Sequence, residues 1–214
     1  MNETQKDMFG YIQFCTVEKD TKKSGLEEME DRALSRYVEK HYAFIDKIEE
    51  LGLPAPGEQF RIVTRRSFNG VQFLEYITHH ETIVDLKMAV YSINFYAAKF
   101  LVRMINEGKI EKVEILMSNL RNKAHREKEE IIKNTFTNHP RIKLFFASSH
   151  AKMFSCSTSA GNYYTLEGSG NLSYNSRVEQ YVIDNDRLMY KFSCKWMDDI
   201  KIFLKGKKEL EICE

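Results

Sequence analysis

The chain has 214 residues, 43% hydrophobic and 29% charged, which is the make-up of a globular protein and excludes a fibrous or low-complexity chain. That length admits one domain of moderate size plus an additional arm. Net charge is only +1, yet it is unevenly spread: residues 1–58 carry −5, residues 59–152 carry +7 and residues 153–214 carry −1.

The elements read as follows in chain order. The first seven residues, Met1 to Asp7, are polar and lack the apolar core of a signal peptide. No apolar run approaches the ~20 residues that cross a bilayer, so the expectation is a cytoplasmic protein without a membrane partner. Residues 25–51 are charge-rich, with Leu26, Met29, Leu34, Tyr37, Tyr42, Ile45 and Ile48 at spacings of three to five, a pattern that predicts an amphipathic helix. The segment Leu53-Pro54-Ala55-Pro56-Gly57 reads as a linker, because proline removes a backbone donor and restricts its predecessor. Residues 1–58 are therefore expected to form a helical arm and linker, and residues 59–214 the main domain.

Within that domain, residues 60–64 predict a strand and residues 69–79 a helix. Residues 84–91 fit either period. Residues 94–107 predict a helix stopped by Gly108, and residues 112–117 a strand. A charge-rich helix over 121–134, strands over 142–146 and 179–183, and a closing helix over 187–204 complete the pattern. The last helix carries Leu188, Phe192, Trp196, Ile200 and Phe203 on one stripe. Strands alternating with helices indicate an α/β domain built on a mixed sheet. The four cysteines, Cys15, Cys156, Cys194 and Cys213, are widely spaced without a Cys-x-x-Cys pair, so free thiols are expected, with no metal site and no cofactor.

The chemistry concentrates in residues 148–186. His150-Ala151-Lys152 is expected on a strand, where i and i+2 share a face. An imidazole there serves as nucleophile or proton donor near neutral pH, and the neighbouring ammonium neutralises a phosphate oxygen. Gly168-Ser169-Gly170-Asn171 follows after a polar loop. Its glycines let backbone approach a ligand, while the Ser169 hydroxyl and the Asn171 amide can donate to phosphate oxygens. Glu179 then stands on a predicted strand, and a carboxylate bonded to an imidazole fixes its tautomer. The basic stretch over 59–152 fits a phosphate polymer, and it equally fits a solvated surface.

The order His150-x-Lys152, then Gly168-Ser169-Gly170-Asn171, then Glu179 resembles the signature of the phospholipase D superfamily, His-x-Lys-x-x-x-x-Asp followed by Gly-Ser-x-Asn. The stretch from Asn175 to Val182 resembles the corresponding segment of the small bacterial nucleases of that family. The resemblance implies a phospholipase D-like mixed sheet flanked by helices. It also implies a metal-independent phosphodiesterase, most readily a nuclease. The catalytic residues would be His150, Lys152 and Glu179, with Lys152, Ser169 and Asn171 holding phosphate oxygens. One position departs from the pattern: the aspartate five residues after the lysine is replaced by Ser157, and the stretch from Lys152 to Gly168 is about four residues longer than usual. Asp184 and Asp186 are candidates for the displaced carboxylate. The family mechanism needs two histidines, and none of His41, His79, His80, His125 and His139 is followed by a lysine two places on. A homodimer sharing one motif per chain is therefore expected, with nucleic acid or another phosphodiester as substrate. A catalytically inactive module that keeps the fold and binds nucleic acid or phosphate is the alternative.

Overall fold

The computed structural model describes residues 39–45, 48–64, 70–119, 123–136, 139–171, 178–206 and 211–213. Its strands are β1 (Glu39–Ile45), β2 (Glu58–Thr64), β3 (Ile83–Val90), β4 (Val113–Ser118), β5 (Ile142–Ala147), β6 (Met153–Thr158), β7 (Tyr163–Gly168), β8 (Glu179–Asn185) and β9 (Glu211–Cys213). The helices are α1 (Gly70–His80), α2 (Phe95–Asn106), α3 (Lys123–Phe136) and α4 (Arg187–Gly206). The strands form one mixed sheet in the order β1-β2-β8-β7-β6-β3-β4-β5-β9.

Strands β3, β4 and β5 run parallel, with α2 and α3 as the crossovers that parallel pairing demands. Strands β6, β7 and β8 run as an antiparallel meander between β3 and β2. The helix boundaries follow local chemistry. Asn94 caps α2, its side chain accepting from the Ala97 amide at 2.8 Å, and the chain leaves that helix through Gly108 at φ +72°.

The period-2 geometry of the central strands divides their side chains between two layers. Leu86, Met88, Val90, Ile115, Met117 and Phe146 enter the larger core with Phe73, Leu74 and Ile77 of α1, Phe100 and Leu101 of α2, and Ile132 and Phe136 of α3. Ala89, Leu116 and Ala147 point the other way, against Met197 and Leu204 of α4. That second cluster is smaller, because the polar Lys87 and Glu114 share the face with Ala89 and Leu116. A polar row crosses the sheet in register: Gln59, Asp184, Thr165, Ser155, Lys87 and Glu114 on neighbouring strands. Along it Gln59 Nε2 donates to Asp184 Oδ1 at 2.7 Å, and the Ser155 and Thr165 hydroxyls bond at 2.6 Å.

Three expectations are corrected. Residues 39–45, expected within a helical arm, are strand β1, paired in parallel with β2, so the sheet begins ahead of residue 59. Amphipathic spacing cannot register a ladder made to a distant strand, and here that ladder prevails. Residues 25–38 of the expected helix lie outside the described residues. Strands β6 and β7 occupy a stretch read as loop, because Ser155, Ser157 and Thr165 break the apolar pattern while bonding within the sheet. Finally, α4 buries Ser193, Met197 and Leu204 with Trp196 and Ile200 packed beside that cluster, leaving Phe192 57% and Phe203 46% exposed, so only part of the apolar stripe meets the sheet.

Candidate active site

In an open α/β sheet, ligands bind outside the carboxyl ends of the parallel strands. Here those ends are Val90, Ser118 and Ala147, and the chain emerging from Ala147 carries the histidine motif. Residues 148–152 form a loop ahead of β6, which corrects the expectation of a strand. The loop is stabilised locally: the Ala151 amide donates to Ser149 Oγ at 3.2 Å, and Lys152 Nζ donates to the His150 carbonyl at 3.1 Å. His150 is exposed and Lys152 half-buried. Tyr91, one residue beyond β3, lies against both. Its ring centroid is 4.9 Å from that of His150, tilted by 37°, and 5.7 Å from Lys152 Nζ. An imidazole and an ammonium are thus brought to one aromatic wall.

The glycine turn is tied to the same loop. The Gly168 amide donates to the Lys152 carbonyl at 3.2 Å. Ser169 is clamped to β8 by its amide, which donates to the Gln180 carbonyl at 3.0 Å, and by its hydroxyl, which accepts from the Gln180 amide at 3.1 Å and donates to Glu179 Oε2. A hydroxyl has one proton, so in this arrangement Ser169 tethers Glu179, and donation to phosphate requires that proton to turn away. Glu179 itself is buried at 6% exposure.

Space is what requires the two glycines. A Cβ on Gly168 would stand 2.4 Å from Tyr181 Cδ1 and 2.5 Å from the Gln180 carbonyl, and one on Gly170 would stand 2.0 Å from the Tyr181 hydroxyl. Tyr181 is held from beneath by Phe73, ring centroids 5.6 Å apart at 63°. Burial first, and the Glu179 charge second, push the Tyr181 phenol well above its ordinary range, so it remains protonated. Asn171 follows, its Oδ1 buried without a hydrogen-bond partner among the described residues. Residues 172–177, part of the segment leading to Glu179, lie outside the described residues.

Ser157 stands apart from this constellation, on β6 directly across from Asp85 of β3. The Tyr190 hydroxyl of α4 donates to Asp85 Oδ2 at 2.8 Å and bonds to Ser157, and Lys112 Nζ lies 3.6 Å from Asp85 Oδ1. The carboxylate facing the departed motif position is therefore Asp85. Asp184 is engaged by Gln59, and Asp186 caps α4, accepting from the Leu188 amide at 2.6 Å. Cys156 is fully buried in the core, and that burial raises its thiol far above its usual range. No group of three or more His, Cys, Asp or Glu side chains is placed to hold a metal among the described residues, and no described helix is long and apolar enough to cross a membrane.

Sequence reasoning brought out His150, Lys152, Ser169, Asn171 and Glu179, and it missed Tyr91, Tyr181 and Asp85. Tyr181 was legible in principle, since two glycines facing a following strand predict a large residue opposite them. Tyr91 and Asp85 leave no comparable trace: the fold brings Tyr91 to His150, and strand pairing sets Asp85 across from Ser157.

No protein-family model and no curated protein matches the sequence. Solved structures do resemble it. The phosphatidylserine synthase of Haemophilus influenzae aligns at 12% identity over 72% of this chain and 39% of that one, with a TM-score of 0.50. A phospholipase D family member, Nuc, from Salmonella typhimurium aligns at 17% identity over 72% of this chain and 98% of that one, with a TM-score of 0.45. The polyphosphate kinase of Porphyromonas gingivalis aligns at 12% identity over 60% of this chain, which spans 23% of the kinase, with a TM-score of 0.43. The mixed sheet flanked by helices is the fold the chain shares with the phosphatidylserine synthase.

Proposed function

We propose that this chain, whose fold is that of the phospholipase D superfamily, is a metal-independent phosphodiesterase of nuclease type that works as a homodimer. The observation that carries the reading is the junction of the two motif halves: the Gly168 amide bonds to the Lys152 carbonyl while Ser169 is bonded to the buried Glu179. Segments 16 residues apart in sequence thus share one corner of the sheet, beside an exposed imidazole.

In this reading an imidazole nitrogen of His150 attacks phosphorus. The bond from phosphorus to the leaving oxygen breaks, and the partner subunit's His150 gives that oxygen its proton. Water then attacks the phosphohistidine, giving a proton to the partner imidazole and releasing the phosphate monoester. Lys152 neutralises a non-bridging oxygen. The Asn171 amide donates to a second, and the Ser169 hydroxyl joins them by releasing Glu179, whose charge supports an imidazolium. Preorganised donors of this kind are worth roughly 3–4 kcal/mol each in a transition state.

The test is hydrolysis of bis(p-nitrophenyl) phosphate and of an oligonucleotide in excess EDTA. Turnover is expected to survive the chelator and to fall by roughly 10³-fold or more in His150→Ala. Loss of activity in EDTA, or retention of it in the variant, overturns the proposal. A second reading, a module that binds without turnover, is favoured by Ser157 at the aspartate position. Salt-sensitive retention of nucleic acid with no hydrolysis in the unsubstituted chain would select it.

A further inference from the structure

Helix α2 leaves the sheet at the same edge as His150, four residues beyond Tyr91. The Asn94 cap places Phe95 and Tyr96 in its first turn, where they are 48% and 62% exposed. Lys99 Nζ stands over the Phe95 ring at 4.4 Å from its centroid, and the Arg103 guanidinium stands 5.8 Å from the centroid of Phe100. Positions 95, 99 and 103 follow at intervals of four, and Tyr96 stands three before Lys99, so the four border one side of the helix. Beside them an open hollow of about 690 Å³ is lined by Tyr96, Lys99, Arg103, Asn106 and Thr135, with Glu107 at the far end of the helix. Arg103 shares its charge with Glu75 at 4.0 Å, which leaves Lys99 as the stronger anion contact.

Exposed rings interleaved with cations are what a single strand of nucleic acid requires, since every base has a face to stack and every phosphate a charge to neutralise. A duplex keeps its base faces to itself. An acidic peptide would meet the cations and leave the rings without planar partners. The surrounding segment, residues 59–152, carries +7.

We infer that this side of α2 is a platform for single-stranded nucleic acid, with bases stacked on Phe95 and Tyr96 and a phosphate on Lys99, so that the strand passes Tyr91 into the His150 site. This rests on the phosphodiesterase reading and names its substrate class.

The experiment uses the full chain carrying His150→Ala, titrated by fluorescence anisotropy against a labelled oligothymidylate and a duplex of equal length. Tighter binding of the single strand is expected. Adding Tyr96→Ala should weaken it about tenfold, and adding Lys99→Glu should weaken it and shallow its salt dependence by about one to two units of slope. Both side chains are exposed, and an unchanged unfolding midpoint confirms that the fold is kept. Equal affinity for duplex and single strand, variants that bind like their parent, or displacement of the oligonucleotide by polyglutamate overturns the platform. His150→Ala that still hydrolyses bis(p-nitrophenyl) phosphate overturns the phosphodiesterase reading alone, whereas a failed platform with His150-dependent hydrolysis intact overturns the platform alone.

Discussion

His150 combines exposure with restraint: its ring is open to solvent on a sheet edge, and Tyr91 limits its rotation from one side. The glycine turn supplies the converse, a backbone with almost no freedom because Tyr181 fills the space that any Cβ would need. Gly170→Ala is therefore expected to cost about 1–3 kcal/mol in chemical denaturation, since the added carbon overpacks a buried phenol. The pair Tyr181→Phe with Gly170→Ala should recover part of that loss by removing the hydroxyl in the way. Ser157 offers a second test at this scale. Ser157→Asp restores the residue type of the motif but sets a carboxylate directly across from Asp85. Like charges facing one another across an antiparallel pair cost up to about 1 kcal/mol, so the single variant should be less stable than the parent. Adding Asp85→Asn should recover the difference. The motif itself could be read from sequence because its chemistry lies in near-neighbour spacing. The residues around it, Tyr91 just beyond β3, Tyr181 on β8 and Asp85 across from Ser157, meet their neighbours only through the fold.

At the scale of elements, α4 is held to the sheet by charge as much as by apolar contact. Lys201 bonds to both Glu114 of β4 and Asp198, the latter at 2.7 Å, and Lys87 of β3 joins Glu114 at 3.2 Å. Burial would lower the Lys201 pKa, but the bonds to Asp198 and Glu114 outweigh it and the net shift is upward. Burial would raise that of Asp198, but Lys201 outweighs it and the net shift is downward. The linkage signs follow. The Lys201 contribution is complete below the ordinary lysine value, about 10.4, and is lost as pH rises through its higher folded value. The Asp198 contribution is complete above about pH 4 and is lost as pH falls through its lower folded value. Lys201→Met is expected to flatten both limbs of a stability–pH profile measured by urea denaturation. Its loss at pH 7 should be about 1–3 kcal/mol, moderated because Lys87 still faces Glu114. The apolar stripe of α4 runs through Phe192 and Phe203, both exposed, while Trp196 and Ile200 of the same stripe pack against the sheet.

At the scale of the whole molecule, one motif per chain makes the proposed reaction a property of two chains. If both imidazoles are required, mixing unsubstituted chain with an equal amount of His150→Ala, after subunit exchange, should lower the activity per unsubstituted chain to about half, because half of its partners are then inactive. A full complement of activity in the mixture would show that one motif suffices. Light scattering should return twice the chain mass at the concentration assayed.

By itself the sequence determined the α/β alternation and the residues of the histidine motif. It did so because hydrophobic period and short-range spacing are local properties of a chain. Most strands and helices of the sheet fall where those patterns place them, from β2 at Glu58–Thr64 to α4 at Arg187–Gly206. The tertiary structure decided what depends on register. It made β1 a strand, set the β6 and β7 hairpin inside the sheet, and put Asp85 opposite Ser157. It also brought Tyr91 to His150 and set Lys99 over the Phe95 ring at the start of α2. Strand pairing joins residues tens of positions apart, and no local pattern of side chains encodes which of them will meet.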